Sequence, residues 1–298
     1  MKYYLGIDGG GTKTVAAVSD ENGNIITKKT GRSINFYSVG MDGARQNLKD
    51  VIAMLYEEIG ECRFAGAYIG CSALDNEADA ELTSRLCGGI VDAESLKLHS
   101  DVHIALGAVG KAQYPCVAIC GTGSIAVALD KDGNTVVAGG WGHIIGDEGS
   151  AYAVAMRAIR LCCIACDKGA EAPLLKKGCE YFGVDNFRLA IDKIYSPDTT
   201  KDVLAGFAEY VGKLAQEGDS QALEIMTAEA EAFAQTVLIL LEKTACCDVL
   251  GLSGGVFRNN RVFAAAFCEK IKAEYPDIKI RLAEIPHEEC AAALAREL

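Results

Sequence analysis

Apolar and polar positions follow the same order twice along this chain. Residues 3–8, 14–19 and 25–30 alternate or run apolar with β-branched content, which predicts a three-stranded antiparallel meander. A second copy begins at Pro115. Val117-Ala118-Ile119-Cys120 is apolar, Gly121-Thr122-Gly123-Ser124 turns the chain, and Ile125 opens another apolar segment. The polar turn Asp20-Glu21-Asn22-Gly23-Asn24 is answered by Asp130-Lys131-Asp132-Gly133-Asn134. Each copy reads strand, Gly/Thr turn, strand, Asn/Asp-Gly turn, strand. Repetition of this kind predicts two related units.

The remaining pattern is mixed. Leu48, Val51, Ile52, Leu55 and Ile59 are spaced for one helix face over 42–59, with Gly60 as its C-cap. A short buried strand at 64–71, a helix near 77–87, a strand at 96–100 and a short helix from Asp101 complete the first half. After the second meander, ending near Gly139, a glycine-rich loop over 139–150 leads into a helical stretch from 150 to about 245. That stretch breaks near Gly169, Gly183, Pro197 and Gly218. The chain then returns to alternating elements: strand 249–253, helix 257–273, strand 278–282 and helix 287–297. The expected architecture is α/β with two domains, 1–112 and 113–298. The second is enlarged by the helical insertion, and 287–297 is a segment able to pack back on the first.

Composition narrows the function. With 298 residues and 50% hydrophobic content the chain can bury one large core or two medium ones. A net charge of -12 argues against nucleic acid and anionic membrane as partners. It leaves nucleotide binding open, because backbone N–H groups and a metal ion meet phosphates locally. No apolar run reaches the roughly 18 residues of a membrane span, and no signal-peptide pattern opens the chain. The 13 cysteines then read as reduced, buried thiols of a cytoplasmic protein. Cys162, Cys163 and Cys166 contain a CxxC but lack a second pair, and 158–166 reads as a buried helix, so these thiols are expected to be structural.

Two loops carry candidate phosphate chemistry. Asp8 ends a strand where Gly9-Gly10-Gly11 begins, so its carboxylate can hold a hydrated Mg²⁺ while the glycines let backbone approach phosphate oxygens. Thr12 and Lys13 add a hydroxyl and a cation. The pattern is neither a P-loop nor a Rossmann fingerprint, since strand follows strand. Gly121, Thr122 and Gly123, weak alone, gain weight as the echo of the first loop. Facing each other across a cleft between related halves, the two loops would hold one nucleotide's phosphates from both sides. Asp101 follows a strand and opens a helix, which suits an N-cap or a general base at the cleft. Gly254 and Gly255 follow a buried strand and permit close approach of backbone to a base or ribose. Trp141 could anchor a core, but the flanking glycines favour an exposed loop position instead. Asp147 and Glu148 each suit a helix N-terminus, and Glu148 is read as structural. His99, His103 and His287 show no metal spacing and read as non-catalytic.

Asp8-Gly9-Gly10-Gly11-Thr12-Lys13-Thr14, Gly121-Thr122-Gly123-Ser124, Gly139-Gly140-Trp141-Gly142-His143, Gly146-Asp147-Glu148-Gly149-Ser150 and Ser253-Gly254-Gly255-Val256-Phe257 together resemble the N-acetylglucosamine kinases of the BadF/BadG/BcrA/BcrD ATPase family. The resemblance runs through the whole chain. It implies the sugar kinase/actin/Hsp70 superfold, with two ribonuclease-H-like (actin-like ATPase) domains and ATP between them. It also implies transfer of a phosphoryl group to a hydroxyl, O6 in expectation, of N-acetylglucosamine or a related amino sugar. On its terms Asp101 is the catalytic base, and Asn35, Asp101, Gly140, Trp141 and Asp147 bind the sugar. Gly10, Gly11, Thr12, Lys13, Gly121, Thr122, Gly123, Ala205, Gly254 and Gly255 bind ATP, and Asp8 binds Mg²⁺ through water. A homodimer is implied by the resemblance alone. Two rivals share the fold: an ATPase activator of an iron–sulfur acyl-CoA reductase or dehydratase system, and a non-enzymatic sugar sensor. The 139–150 loop and the lack of a cluster-presenting cysteine argue against the first, and the presence of Asp101 against the second.

Overall fold

Strand alternation sets up the first unit. The computed structural model describes residues 1–74, 76–110, 112, 114–283 and 285–298. It divides into one unit of Met1–Gly110 with Ala283–Leu298 and a second of Lys111–Leu282. The boundary expected at 112/113 touches Gln113, outside the described residues. The segment 283–298, expected in the second domain, counts with the first unit.

The first unit runs β1 (Tyr3–Gly9), β2 (Lys13–Asp20), β3 (Ile25–Arg32), α1 (Phe36–Ile59), β4 (Gly66–Cys71), α2 (Ala80–Cys87), β5 (Leu96–His99) and α3 (Asp101–Gly107). Its sheet has the order β3-β2-β1-β4-β5, with β1 antiparallel to β2 and parallel to β4. Leu5 and Ile7 of β1 enter a core with Leu48, Val51 and Leu55 of α1, Ile69 of β4 and Leu98 of β5. Residues 4, 6 and 8 alternate to the other face.

That other face receives the last helix of the chain (His287–Ala295). The seat is backbone: a Cβ on Gly6 would stand 2.1 Å from Ala292 N, and one on Gly66 2.1 Å from Ala295 O. Ala291 and Ala295 fill the resulting close contact with Tyr68 and Ile104. Lys28 of β3 pairs with Glu288 at 3.1 Å, and with Glu289, at the start of this helix.

The second unit repeats the plan with β6 (Pro115–Cys120), β7 (Ser124–Leu129) and β8 (Thr135–Gly139). There follow α4 (Ala151–Asp167), α5 (Pro173–Phe182), α6 (Ala190–Ile194), α7 (Lys201–Ala205), α8 (Phe207–Gln216) and α9 (Ser220–Thr244). The unit ends with β9 (Val249–Ser253), α10 (Gly255–Asn259), α11 (Arg261–Glu274) and β10 (Lys279–Leu282), and the final helix described above is α12. Its sheet reads β8-β7-β6-β9-β10, the same order position for position as the first. Cys116, Ala118, Ala126 and Ala128 of the sheet pack with α4, α8, α9 and α11 in one core.

The two polar turns match bond for bond. Asp20 N donates to Asn24 O at 3.0 Å, while Asp20 Oδ1 accepts from Asn22 N (2.8 Å) and Asn24 N (2.9 Å). Asp130 N donates to Asn134 O at 3.0 Å, while its Oδ1 accepts from Asp132 N (2.9 Å) and Asn134 N (2.8 Å). These are Asx turns, which explains the Asp at the first position of both copies.

Two elements differ from expectation. The first helix starts at Phe36 rather than 42, because Asn35 caps a first turn that Gly40 (φ 72°) then kinks into the main helix. The helix expected over 257–273 is divided at Asn260, whose side chain accepts from Phe263 N at 3.0 Å and caps α11. Cys162, Cys163 and Cys166 lie on α4, buried, exposed and half-buried in turn. Among the described residues no group of three or more metal-ligating side chains occurs, and no helix is long and apolar enough to cross a membrane.

Candidate active site

In the first unit the site residues gather at the ends of β1, β4 and β5. Asp8, next to last in β1, stands level with Gly70 of β4. A Cβ on Gly70 would lie 3.0 Å from Asp101 Cα, so the missing side chain lets the start of α3 close against the strand carrying Gly70. Asp8 and Asp101 are 93 positions apart in sequence, by their numbers, yet they interact electrostatically. The Asp101 carboxyl is pushed up to about 6, first by burial and then by the negative charge of Asp8, with His287 opposing. His287 opens α12, and its Nδ1 lies 3.6 Å from Asp8 Oδ2.

Serines with no role expected from sequence brace the glycine turn. Ser33 Oγ donates to Gly10 O at 2.8 Å, and Ser72 N donates to Gly9 O at 2.9 Å. Asn35 N in turn donates to Ser33 Oγ at 3.0 Å. Gly11, Thr12 and Lys13 are exposed beyond this brace. Asn35 is committed locally as well: its Oδ1 caps α1 through Tyr37 N (3.0 Å) and Ser38 N (3.2 Å), and its Nδ2 donates to Ser72 Oγ at 3.0 Å. An Asn two residues after a Ser, before a helical pattern, is the signal that would have found this cap.

The histidines on either side of Asp101 are packing groups. His99 Nδ1 accepts from Ser100 N at 2.8 Å, and burial pushes its imidazole down to about 4. Burial also lowers His103, whose Nδ1 lies 2.9 Å from Tyr68 Oη. The two rings sit 4.3 Å apart, so packed imidazoles stand two residues before and two residues after Asp101.

In the second unit the Gly121–Ser124 turn is tied to the 146–151 segment. Ala151 N donates to Gly121 O at 2.8 Å, Ser124 Oγ donates to Glu148 O at 2.7 Å, and Cys120 Sγ donates to Gly149 O at 3.1 Å. Asp147 is buried with φ 62°, and its Oδ2 lies 2.8 Å from Lys201 Nζ. Glu229 of α9 fixes the segment from behind, accepting from Gly149 N at 3.0 Å and pairing with Arg157 Nε at 2.7 Å. Lys201 and Glu229 were invisible to motif reading, since each reaches its partner across a long sequence gap.

Gly140 N donates to Ser124 O at 3.2 Å, and next to it Trp141 is 74% exposed. Gly254 closes on the same turn: with φ 102°, its absent Cβ would lie 2.2 Å from Cys120 O. Gly255 starts α10, and Ala205 is buried at the end of α7. The structure thus brings Gly121, Thr122, Gly123, Asp147 and Gly254 together around the end of β6, and Asp8, Gly10, Asn35 and Asp101 around the end of β1.

An N-acetylmuramic acid/N-acetylglucosamine kinase of Clostridium acetobutylicum is 27% identical over 288 residues, covering 94% of both chains. An N-acetyl-D-glucosamine kinase of Dictyostelium discoideum is 28% identical over 295 residues, covering 93% of this chain and 92% of its own. A solved structure from Chromobacterium violaceum, described provisionally as an N-acetylglucosamine kinase, superposes with a TM-score of 0.75 at 22% identity, over 99% of each chain. The fold is that of the actin-like ATPases and sugar kinases, with one five-stranded sheet in each unit. The model of one family matches from residue 5 to residue 294, and the chain therefore belongs to the BadF/BadG/BcrA/BcrD ATPase family.

Proposed function

We propose that the chain is an ATP-dependent kinase that phosphorylates an amino sugar, N-acetylglucosamine or a close relative, at O6. The observation that carries this reading is the carboxylate pair at the end of β1, where Asp101 is pushed up to about 6 beside Asp8 and an exposed Gly-Thr-Lys turn. Phosphoryl transfer needs little covalent help from the protein beyond positioning and an acceptor for the hydroxyl proton. Asp101 accepts that proton at its carboxylate as the sugar oxygen attacks. A carboxylate with a raised proton affinity is a better base than an ordinary aspartate and is still ionised at neutral pH.

Asn35, Gly140, Trp141 and Asp147 orient the sugar: amide and carboxylate for hydroxyls, indole for the apolar ring face. Asp147 gives one oxygen to Lys201 and keeps the other for a hydroxyl. Gly10, Gly11, Thr12 and Lys13, and Gly121, Thr122 and Gly123, bind phosphates, with Ala205, Gly254 and Gly255 toward the adenosine. Asp8 fits a hydrated Mg²⁺. It is a half-buried carboxylate that interacts with Asp101 and has His287 Nδ1 3.6 Å from its Oδ2, so a cation held there would take its remaining ligands from water and phosphate oxygen. When bound, Mg²⁺ screens phosphate charge.

Coupled ADP release is the direct test, with N-acetylglucosamine, glucosamine and N-acetylmuramic acid supplied in turn. ADP release that depends on one of them is expected, and release unchanged by all three overturns the reading. Because Asp101 must be ionised to act, kcat/KM is expected to be flat at neutral pH and to fall tenfold per unit on the acid side. The limb lies at or below the value of about 6 set by burial and Asp8. A cation on Asp8 removes the second of those causes and moves the limb down. A pH–rate profile with no acid limb above pH 4 would remove Asp101 from the role.

A further inference from the structure

Lys201 opens α7, fixed by Thr200, whose Oγ1 accepts from Val203 N at 3.4 Å. Its side chain reaches Asp147 Oδ2 at 2.8 Å. Both charged groups flank Gly123: a Cβ there would lie 2.8 Å from Asp147 Oδ2 and 3.1 Å from Lys201 Nζ. The ion pair is therefore at the second glycine turn itself. Asp147 is 6% exposed in its side chain and Lys201 28%. A buried carboxylate on one side holds the ammonium in place and leaves its solvent side open. An ammonium has three donors, and one is directed at Asp147, so it can serve a second anion without leaving the first. Gly121, two residues before, has open space where a side chain would be.

We propose that Lys201 is a phosphate ligand of this turn, contacting the outer phosphates of a nucleoside di- or triphosphate, with Asp147 as its anchor. The proposal rests on reading Gly121-Thr122-Gly123 as a nucleotide phosphate loop. It gives that loop the cation that its own residues lack, as Lys13 supplies one in the first unit's turn. The chemistry is that of a point charge on phosphate rather than a forked contact, so arginine restores only part of it.

The test is calorimetric titration of the whole chain with ADP and, separately, with adenosine. Lys201→Met is expected to weaken ADP by about 10- to 100-fold and to leave adenosine unchanged. Lys201→Arg recovers part of the loss. The double variant Lys201→Met/Asp147→Asn removes both charges, leaves no buried unpaired carboxylate, and is expected to show the same ADP loss; it keeps the test readable if the single variant misfolds. ADP binding to the double variant at wild-type strength overturns the proposal. Gly121→Leu fills the open space without touching Lys201 and separates the two readings. ADP weakened by Gly121→Leu but not by loss of Lys201 sinks the lysine assignment and leaves the loop. ADP unaffected by either change sinks the loop reading, and the lysine assignment with it.

Discussion

Asp101→Asn is expected to keep nucleotide affinity within about twofold and to lose sugar phosphorylation by about 100- to 10,000-fold, the span that a positioned general base supplies. The amide keeps the shape of the side chain and can still accept a hydrogen bond at α3, but it cannot take a proton. Stability sharpens the result. In the folded chain burial and Asp8 raise the Asp101 carboxyl to about 6, above its ordinary value near 3.9. A raised acid favours folding below its unfolded value, and that contribution is lost as pH rises through the folded value. At pH 7 the charged carboxylate is therefore a cost to the fold, and the variant should melt no lower than the wild type. Activity lost with stability kept marks a functional group rather than a helix cap. Near-normal turnover would end the assignment.

Glu229→Ala is expected to be the most destabilising single change around the second turn. Glu229 is buried and holds Gly149 N–H with one oxygen and Arg157 with the other. Arg157 is 45% exposed and rehydrates when released, so the ion pair contributes little. The larger loss is the charge-assisted hydrogen bond to Gly149 N–H, together with the space left behind in the core. These sum to about 3 kcal/mol, or a fall of about 10 °C in the melting temperature of a unit this size. Because Gly149 is two residues from Asp147, the KM for sugar should rise as well. Glu229→Gln keeps an acceptor for Gly149 and should lose about half as much. Thermal melts followed by circular dichroism decide it: an alanine variant that melts with the wild type removes Glu229 from this role.

Much of the chain is legible in its sequence. Both Asx turns follow from residue types a few positions apart, because their hydrogen bonds close within four residues, and each turn then pairs the alternating strands on either side of it into a meander. The repeat foretold like sheets, since the same local pattern selects the same strand pairing twice. The exposed position of Trp141 followed from the glycines around it. Asn260, by contrast, reads as an ordinary residue inside a helical pattern, and its side chain chose the cap instead.

What the sequence by itself determined is the strand and turn grammar and the residue types that suit phosphate and proton chemistry. Tertiary structure alone decided which of these groups meet. Gly6 and Gly66 let α12 sit directly on the first sheet, which brings His287 to Asp8. Gly70 lets α3 close on β4 and places Asp101 where burial, and then the charge of Asp8, raise its proton affinity. Lys201 and Asp147 join across 54 residues, and Glu229 and Gly149 across 80. Such pairings depend on sheet register and on where backbone can approach backbone. Those are properties of the packed chain, and no short window of sequence contains them.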